Sequence, residues 1–375
     1  MASLPKLCAL ALGVLSLGCG EPSADPVRTA EPSPAGAEAL EELAQEEASP
    51  AEASMELAPV VPPEPEAPPL SEELAALLAP DAELSRSVGG PNDGRVEAAV
   101  AMPDSGPGFR YNARRPNEAR YGTGRMVRAL IRAAMRVHEE MGGEVTFNDL
   151  GLVEGGPIPH HGSHRAGRDV DVLFYLLDEN DEPHAGVGAF VDPTGHCVDF
   201  GDLRDREDDV LLHVDVPRTW AYVEALVETS AEEGIPLQRI FLVEHVRTML
   251  LDYARENGGD AHAIERFEML SCQPGAPHDD HFHFRFFCPV DDIGRSRSER
   301  CTDARPHYPW RIEEVEALGS RVIHHTPRRD RPMAPITTPA QARRAVGPMA
   351  PEPREWLRRR RAWQSKPHPR REWCR

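Results

Sequence analysis

Lysine is almost missing from this 375-residue chain, which has only Lys6 and Lys366. Its one Ser-x-x-Lys string, Ser3 to Lys6, sits in the N-terminal apolar stretch, so the body lacks the serine–lysine dyad of an acyl-enzyme. No CxxC pair occurs, which removes a cysteine zinc knot. The HExxH helix, the GxGxxG turn and the P-loop are absent too, and with them the usual nucleotide-binding signatures. Aromatic residues make up 6% of the chain, and no apolar run is long enough to cross a membrane. Positive charge is short as well. The net charge of -20 argues against a nucleic-acid partner.

What is abundant is proline, at 37 residues, unevenly placed. That favours one domain with long flanks over two packed domains. Residues 1–19 pair a basic start ending at Lys6 with an apolar stretch from Leu7 to Leu17, as in an export signal bound for the periplasm. The string Leu15-Ser16-Leu17-Gly18-Cys19 resembles a bacterial lipobox, with Ser16 where that pattern usually has Leu. That implies lipidation of Cys19 and membrane attachment by that anchor alone. Residues 20–107 read as a disordered acidic tether rich in Pro, Ala and Glu, with a short helix around Ser71 to Leu78. Residues 108–318 form the expected domain. Residues 319–375 invert the composition, with Arg358 to Arg361 among Trp356, Trp363 and Trp373. They read as a solvated basic extension, or as a tail that docks on an anionic polymer, lipid or the chain's own linker. Five cysteines remain beyond Cys19: Cys197, Cys272, Cys288, Cys301 and Cys374. An oxidising compartment permits disulfides among them, and the odd number leaves one thiol over.

Within the domain, Met126, Leu130, Ala134 and Val137 recur at helical spacing before Gly142-Gly143. Further helices are expected from Asp215 to Ser230, with Pro217 in the first turn, and from Glu244 to the stop at Gly258-Gly259. Strands are expected over Glu144 to Leu150 and from Asp169, Pro236 and His281. This order implies an α+β fold: a small antiparallel sheet carrying the functional residues, flanked by helices, with disordered N- and C-terminal extensions.

Chemistry concentrates in three strings: His160 to His164, Arg168 to Val172 and His278 to Phe286. Strand side chains alternate, so His281, His283 and Arg285 share one face while Phe282, Phe284 and Phe286 share the other. Asp169 and Asp171 also share a face, and two adjacent carboxylates repel unless a cation or donors lie between them. With His164 seven residues earlier, across a turn that Gly167 can make, a divalent ion accounts for the set. Nitrogen and carboxylate donors without cysteine favour zinc. The residues alone leave open Asp171 against Asp169, and His164 against His161.

Here the sequence resembles the penicillin-insensitive murein endopeptidases, within the wider group of D-Ala-D-Ala metallopeptidases, lysostaphin-type enzymes and the hedgehog signalling domain. Their SHxxGxxxD motif is matched from Ser163 to Asp171, and their later HxH by His281-Phe282-His283. The resemblance implies His164, Asp171 and His283 as zinc ligands, and His281 beside the metal as a base or transition-state stabiliser. His161 and His278 match two further family histidines, three residues before the first ligand and before the HxH. They are expected beside the ligands or against substrate. Cys288-Pro289 matches as well, and the nearby Cys301 suggests a Cys288–Cys301 disulfide. Asp169 is a candidate for fixing a ligand histidine, and Arg285 for orienting a substrate carboxylate or making a structural ion pair.

The implied activity is zinc-dependent hydrolysis of the D-alanyl-diaminopimelyl cross-links of peptidoglycan, with no covalent intermediate and no sensitivity to penicillin. The alternatives are a D-Ala-D-Ala dipeptidase or carboxypeptidase, and a zinc-containing wall-binding module without turnover. The presence of His281 favours an enzyme over that module.

Overall fold

The computed structural model describes residues 70–79, 85–201, 204–325, 348–364 and 374. The expected signal, Cys19 and most of the acidic tether lie outside the described residues.

The described part is α+β. Strands β1 (Arg86–Val88) and β2 (Arg95–Glu97) form a hairpin, and β3 (Val100–Ala101) pairs with β6 (Tyr121–Gly122). The main sheet contains β4 (Ser105–Gly106), β5 (Phe109–Tyr111), β7 (Val145–Phe147), β8 (Asp169–Leu173), β13 (Leu237–Phe241), β14 (Ser271–Cys272) and β15 (His281–Phe286). Its seven strands run in the order β14-β13-β15-β8-β7-β5-β4. The pairs β13–β14 and β5–β7 are parallel and the others antiparallel. A second sheet orders β10 (Pro183–His184), β9 (Leu176–Asp178), β12 (Val210–Val214) and β11 (His196–Asp199).

The main sheet is larger than expected and mixed rather than purely antiparallel. Its outer strands are two or three residues long, too short to leave an alternating pattern in the sequence. The packed body also begins earlier than residue 108: the segment 85–106, assigned above to the tether, supplies β1 to β4. The short helix is present as α1 (Glu72–Leu78), with the Ser71 hydroxyl accepting from Leu74 N at 3.2 Å.

Helix α2 (Gly124–Met141) buries Met126, Leu130, Ala134 and Val137, and Gly142 ends it at φ 68°, a backbone that favours glycine. Helix α3 (Val216–Glu232) starts at Asp215, whose side chain accepts from Arg218 N at 3.0 Å. Helices α4 (Glu244–Glu256) and α5 (Ala261–Leu270) follow, with α4 closing just before Gly258.

Strand β15 alternates as expected. Phe282, Phe284 and Phe286 point into the core, each at most 1% exposed. Phe282 packs on Phe174 at 4.9 Å between centroids, and Phe284 on Tyr222 of α3 at 6.3 Å. Burial of each such ring stabilises by about 1.5–3 kcal/mol, so the Phe face fixes which way the histidines turn.

Arg168 forms a second fixed point. Its fully buried guanidinium donates to Ser87 Oγ (2.7 Å), Phe286 O (2.7 Å), Asp303 Oδ1 (3.2 Å) and Thr302 O (3.3 Å). Helices α6 (Val290–Ile293) and α7 (Pro309–Ala317) frame the Cys288–Cys301 disulfide, the pairing implied by the family resemblance. A second disulfide joins Cys272 to Cys374, and buried Cys197 is the leftover thiol.

The basic tail is not solvated throughout. Its described part forms α8 (Pro351–Gln364), which packs on the domain through buried Trp356 and Trp363. The expectation of an unpacked extension missed this because Arg and Pro dominate the composition. The apolar contacts come from two tryptophans seven residues apart, one helical face.

Candidate metal centre

Strand register assembles half of the centre. In the antiparallel pair β8–β15, His283 lies opposite Asp171, and Arg285 opposite Asp169. The other half comes from the loop before β8. There Gly167 turns at φ 66°, and a Cβ would meet Val96 and the backbone of Thr123 at about 3 Å. His164 itself has φ 66°, an uncommon value for a side-chain-bearing residue and costly unless the surroundings enforce it. His160 (68°) and His278 (49°) share this feature.

The three expected ligands converge. His164 Nε2, Asp171 Oδ1 and His283 Nδ1 form a triangle with all three sides 3.4 Å. A tetrahedral zinc with bonds of ~2.0–2.1 Å separates its donor atoms by about 3.3–3.4 Å. The remaining ring nitrogens are engaged away from the triangle. His164 Nδ1 meets the Leu150 carbonyl at 2.8 Å, and His283 Nε2 meets Asp169 Oδ1 at 2.8 Å. Both partners are acceptors, so those nitrogens carry the protons and the inward ones keep their lone pairs. Buried Asp171 Oδ1 has no hydrogen-bond partner among the described residues. An orphaned carboxylate oxygen facing two imidazole lone pairs fits a cation.

His161 is closer to this centre than its expected role implied. It forms a metal-capable group with His164 and Asp171, their donor atoms within 4.8 Å of one another. Its Nε2 lies 2.7 Å from Asp171 Oδ2, and its Nδ1 is 2.7 Å from the Pro159 carbonyl.

Charge bookkeeping points the same way. Arg285 Nε donates to Asp169 Oδ1 at 2.6 Å, so Arg285 makes the structural ion pair. Burial works to raise the Asp169 pKa, but Arg285 and His283 outweigh it and hold the carboxyl far below its usual range. Burial likewise opposes ionisation of Asp171, and His281, His164 and His161 reverse it, leaving its pKa well below the usual value. Burial pushes His283 down to about 4. Burial, with His281 and His283 nearby, pushes His278 down to about 3. Asp171 is thus a buried anion, and among the described residues no arginine or lysine is bonded to it.

His281 sits at the edge of the triangle, its Nε2 3.5 Å from Asp171 Oδ1, while its Nδ1 bonds Asp280 Oδ1 at 2.7 Å. Burial works to lower its pKa, but Asp280 and Asp171 prevail and raise it to about 9. The His278 ring stands 5.0 Å from His281 and 5.5 Å from His283.

Sequence reasoning missed three residues. Asp149 is buried, lies 3.6 Å from His161 Nε2 through Oδ2, and is clasped by the Arg115 guanidinium. Asp280 orients His281. The Asp279-Asp280 pair inside the third string was a signal for the last of these. Asp149 and Arg115 lie in loops without a pattern.

A family model described as penicillin-insensitive murein endopeptidase matches residues 87–309. A penicillin-insensitive murein endopeptidase of Haemophilus influenzae is 26% identical over 209 residues, covering 54% of this chain and 64% of that protein. The chain therefore spans less than two thirds of that relative's length.

Proposed function

Since this chain belongs to the penicillin-insensitive murein endopeptidase family, we propose that it is a zinc-dependent peptidase that hydrolyses the D-alanyl-diaminopimelyl cross-links of peptidoglycan. The observation that carries the metal part is the triangle of His164 Nε2, Asp171 Oδ1 and His283 Nδ1, with sides of 3.4 Å around an orphaned oxygen. The choice of cross-link rests on the family. Peptidoglycan lies outside the cytoplasm, which agrees with residues 1–19 acting as an export signal, a periplasmic location and Cys19 as the anchor. The domain boundaries that go with this reading are a tether that ends before residue 85, a peptidase domain that includes the strands from Arg86 onward, and a basic tail over 319–375 whose helix α8 packs on that domain.

In this reading His164, Asp171 and His283 hold the ion, and His161 steadies the second oxygen of Asp171. When bound, zinc acidifies a water and polarises the scissile carbonyl. The residues do the rest. Asp280 accepts a hydrogen bond from His281 Nδ1–H, which holds that proton in place and leaves Nε2 as the atom that accepts a proton from the attacking water and delivers it to the leaving amine. Asp171 is one of the two carboxylates that raise His281, and an ion held by Asp171 would offset its contribution and favour the neutral ring. Asp169 fixes the tautomer and ring angle of His283, and Arg285 keeps Asp169 ionised. No step calls for a serine nucleophile, so penicillin has nothing to acylate.

The test is incubation of purified protein with cross-linked muropeptide dimers, with and without chelator, following dimer loss. Loss that stops with chelator and returns with zinc supports the reading. Persistence of dimers with zinc-loaded protein refutes the endopeptidase activity, and a His283→Ala variant that retains zinc refutes the ligand set.

A further inference from the structure

The loop between β14 and β15 carries His278 and Asp280 and delivers His281, yet what holds it comes from the far end of the chain. Helix α8 and Cys374 lie beyond the family match, which ends at residue 309. Arg360 Nε and Nη2 bond the two oxygens of Asp279 at 2.7 and 2.6 Å, and Trp363 Nε1 donates to Oδ2 at 2.9 Å. Asp279 is fully buried, and its two chain neighbours are His278 and Asp280. The start of the loop is held too: Gln273 Nε2 donates to the Trp363 carbonyl at 3.3 Å, and Cys272 is joined to Cys374.

The same helix holds the facing loop. Arg360 lies 3.5 Å over the Phe190 ring, Arg359 Nη2 reaches Asp192 Oδ2 at 3.2 Å, and Trp356 Nε1 donates to the Phe190 carbonyl at 3.2 Å. That loop in turn bonds the first, through Val191 N to Asp279 O at 2.7 Å. Trp356, Arg360 and Trp363 recur at helical spacing, so one face of α8 makes all these contacts. A buried carboxylate with three N–H donors is fixed in place, whereas the same carboxylate stripped of its guanidinium is an uncompensated buried charge that the loop must move to solvate.

We propose that α8 is a clasp on the catalytic loop: Arg360 and Trp363, acting through Asp279, are positioning residues for His278 and the Asp280–His281 pair. This rests on the reading of His281 as the proton-transfer residue. The three donors on Asp279 are all supplied by a segment outside the family match.

The test uses the full chain loaded with zinc, and compares wild type with Arg360→Ala, Trp363→Phe and, as a control, the exposed neighbour Arg361→Ala. Amide hydrogen exchange is read over residues 273–281 alongside kcat, KM and zinc content. Arg360→Ala is expected to speed exchange in that loop and lower kcat about 10- to 100-fold, with KM changed less than about twofold and zinc content unchanged. Trp363→Phe, which keeps the ring and loses one hydrogen bond, shifts exchange in the same direction by less, and it decides the matter if Arg360→Ala does not fold. Arg361→Ala matches wild type. Unchanged loop exchange in Arg360→Ala and Trp363→Phe overturns the clasp. If wild type cleaves no dimer, the endopeptidase reading fails, and exchange alone still decides whether α8 holds the loop.

Discussion

The centre has a strand-borne half and a loop-borne half, and they are built by different physics. Asp169, Asp171, His283 and Arg285 sit on two paired strands, where side-chain alternation and register place them. Slipping β15 by one residue would turn His283 and Arg285 into the core and its phenylalanines out of it, so the core itself enforces the register of the site. His161, His164, His278 and Asp280 sit on loops, where His164 and His278, like His160, have left-handed backbones. Their placement depends on particular hydrogen bonds: His164 on the Leu150 carbonyl, His161 on the Pro159 carbonyl, and the His278–Asp280 stretch on α8. The strand half should therefore tolerate perturbation elsewhere in the molecule. The loop half should not.

The hardest way to break that contrast is to remove a shared residue. Asp171→Ala removes the carboxylate that meets both histidine ligands, and is expected to abolish bound zinc and lower turnover by more than about a thousandfold, the scale of several kcal/mol of lost transition-state stabilisation. Elemental analysis and dimer cleavage check both. Next, His281→Ala is expected to lower kcat about 10²- to 10⁴-fold with zinc retained. Loss of zinc in that variant would make His281 a ligand.

Asp169→Asn sharpens the strand side, with a zinc affinity about 10- to 100-fold weaker by competitive chelation. It also has a pH signature. The Asp169 carboxyl has a depressed pKa in the fold, so its stabilisation is complete above the unfolded value near ~3.9 and is lost as pH falls below it. The gap in melting temperature between wild type and Asp169→Asn should be widest near neutral pH and shrink in acid. A gap independent of pH would mean that Asp169 is not ionised in the fold. The smallest effect is expected away from the centre. Replacing Cys288 and Cys301 by Ser opens a crosslink of 13 residues, worth about 3 kcal/mol, lowering the melting temperature while leaving zinc affinity near that of wild type.

The same contrast explains what was legible in the sequence. HFHFRF announces its two faces because period-two alternation is a backbone property, and DVDV does the same, so the strand half could be read from spacing alone. The ligand choice on the loop, His164 over His161, needed family resemblance. The structure brings both rings to Asp171 and assigns them different oxygens. Asp149 and Arg115 were illegible because their pairing depends on how two loops meet, 34 residues apart along the chain. Helix α8 was hidden by its composition, since two tryptophans and two arginines dock it while the residues around them favour solvent.

Arg168 has a kinetic consequence. Its partners Ser87, Phe286 and Asp303 lie 81, 118 and 135 residues away along the chain. None of these bonds rewards the chain until large loops have closed, and the central strands β8 and β15 are themselves separated by about a hundred residues of intervening structure. A topology so dominated by distant pairings folds slowly for its size. A guanidinium buried before its acceptors arrive would cost free energy, so Arg168 resists compaction until Ser87, Phe286 and Asp303 are all at hand. Arg168→Met is therefore expected to collapse earlier in refolding and to reach the native state in lower yield.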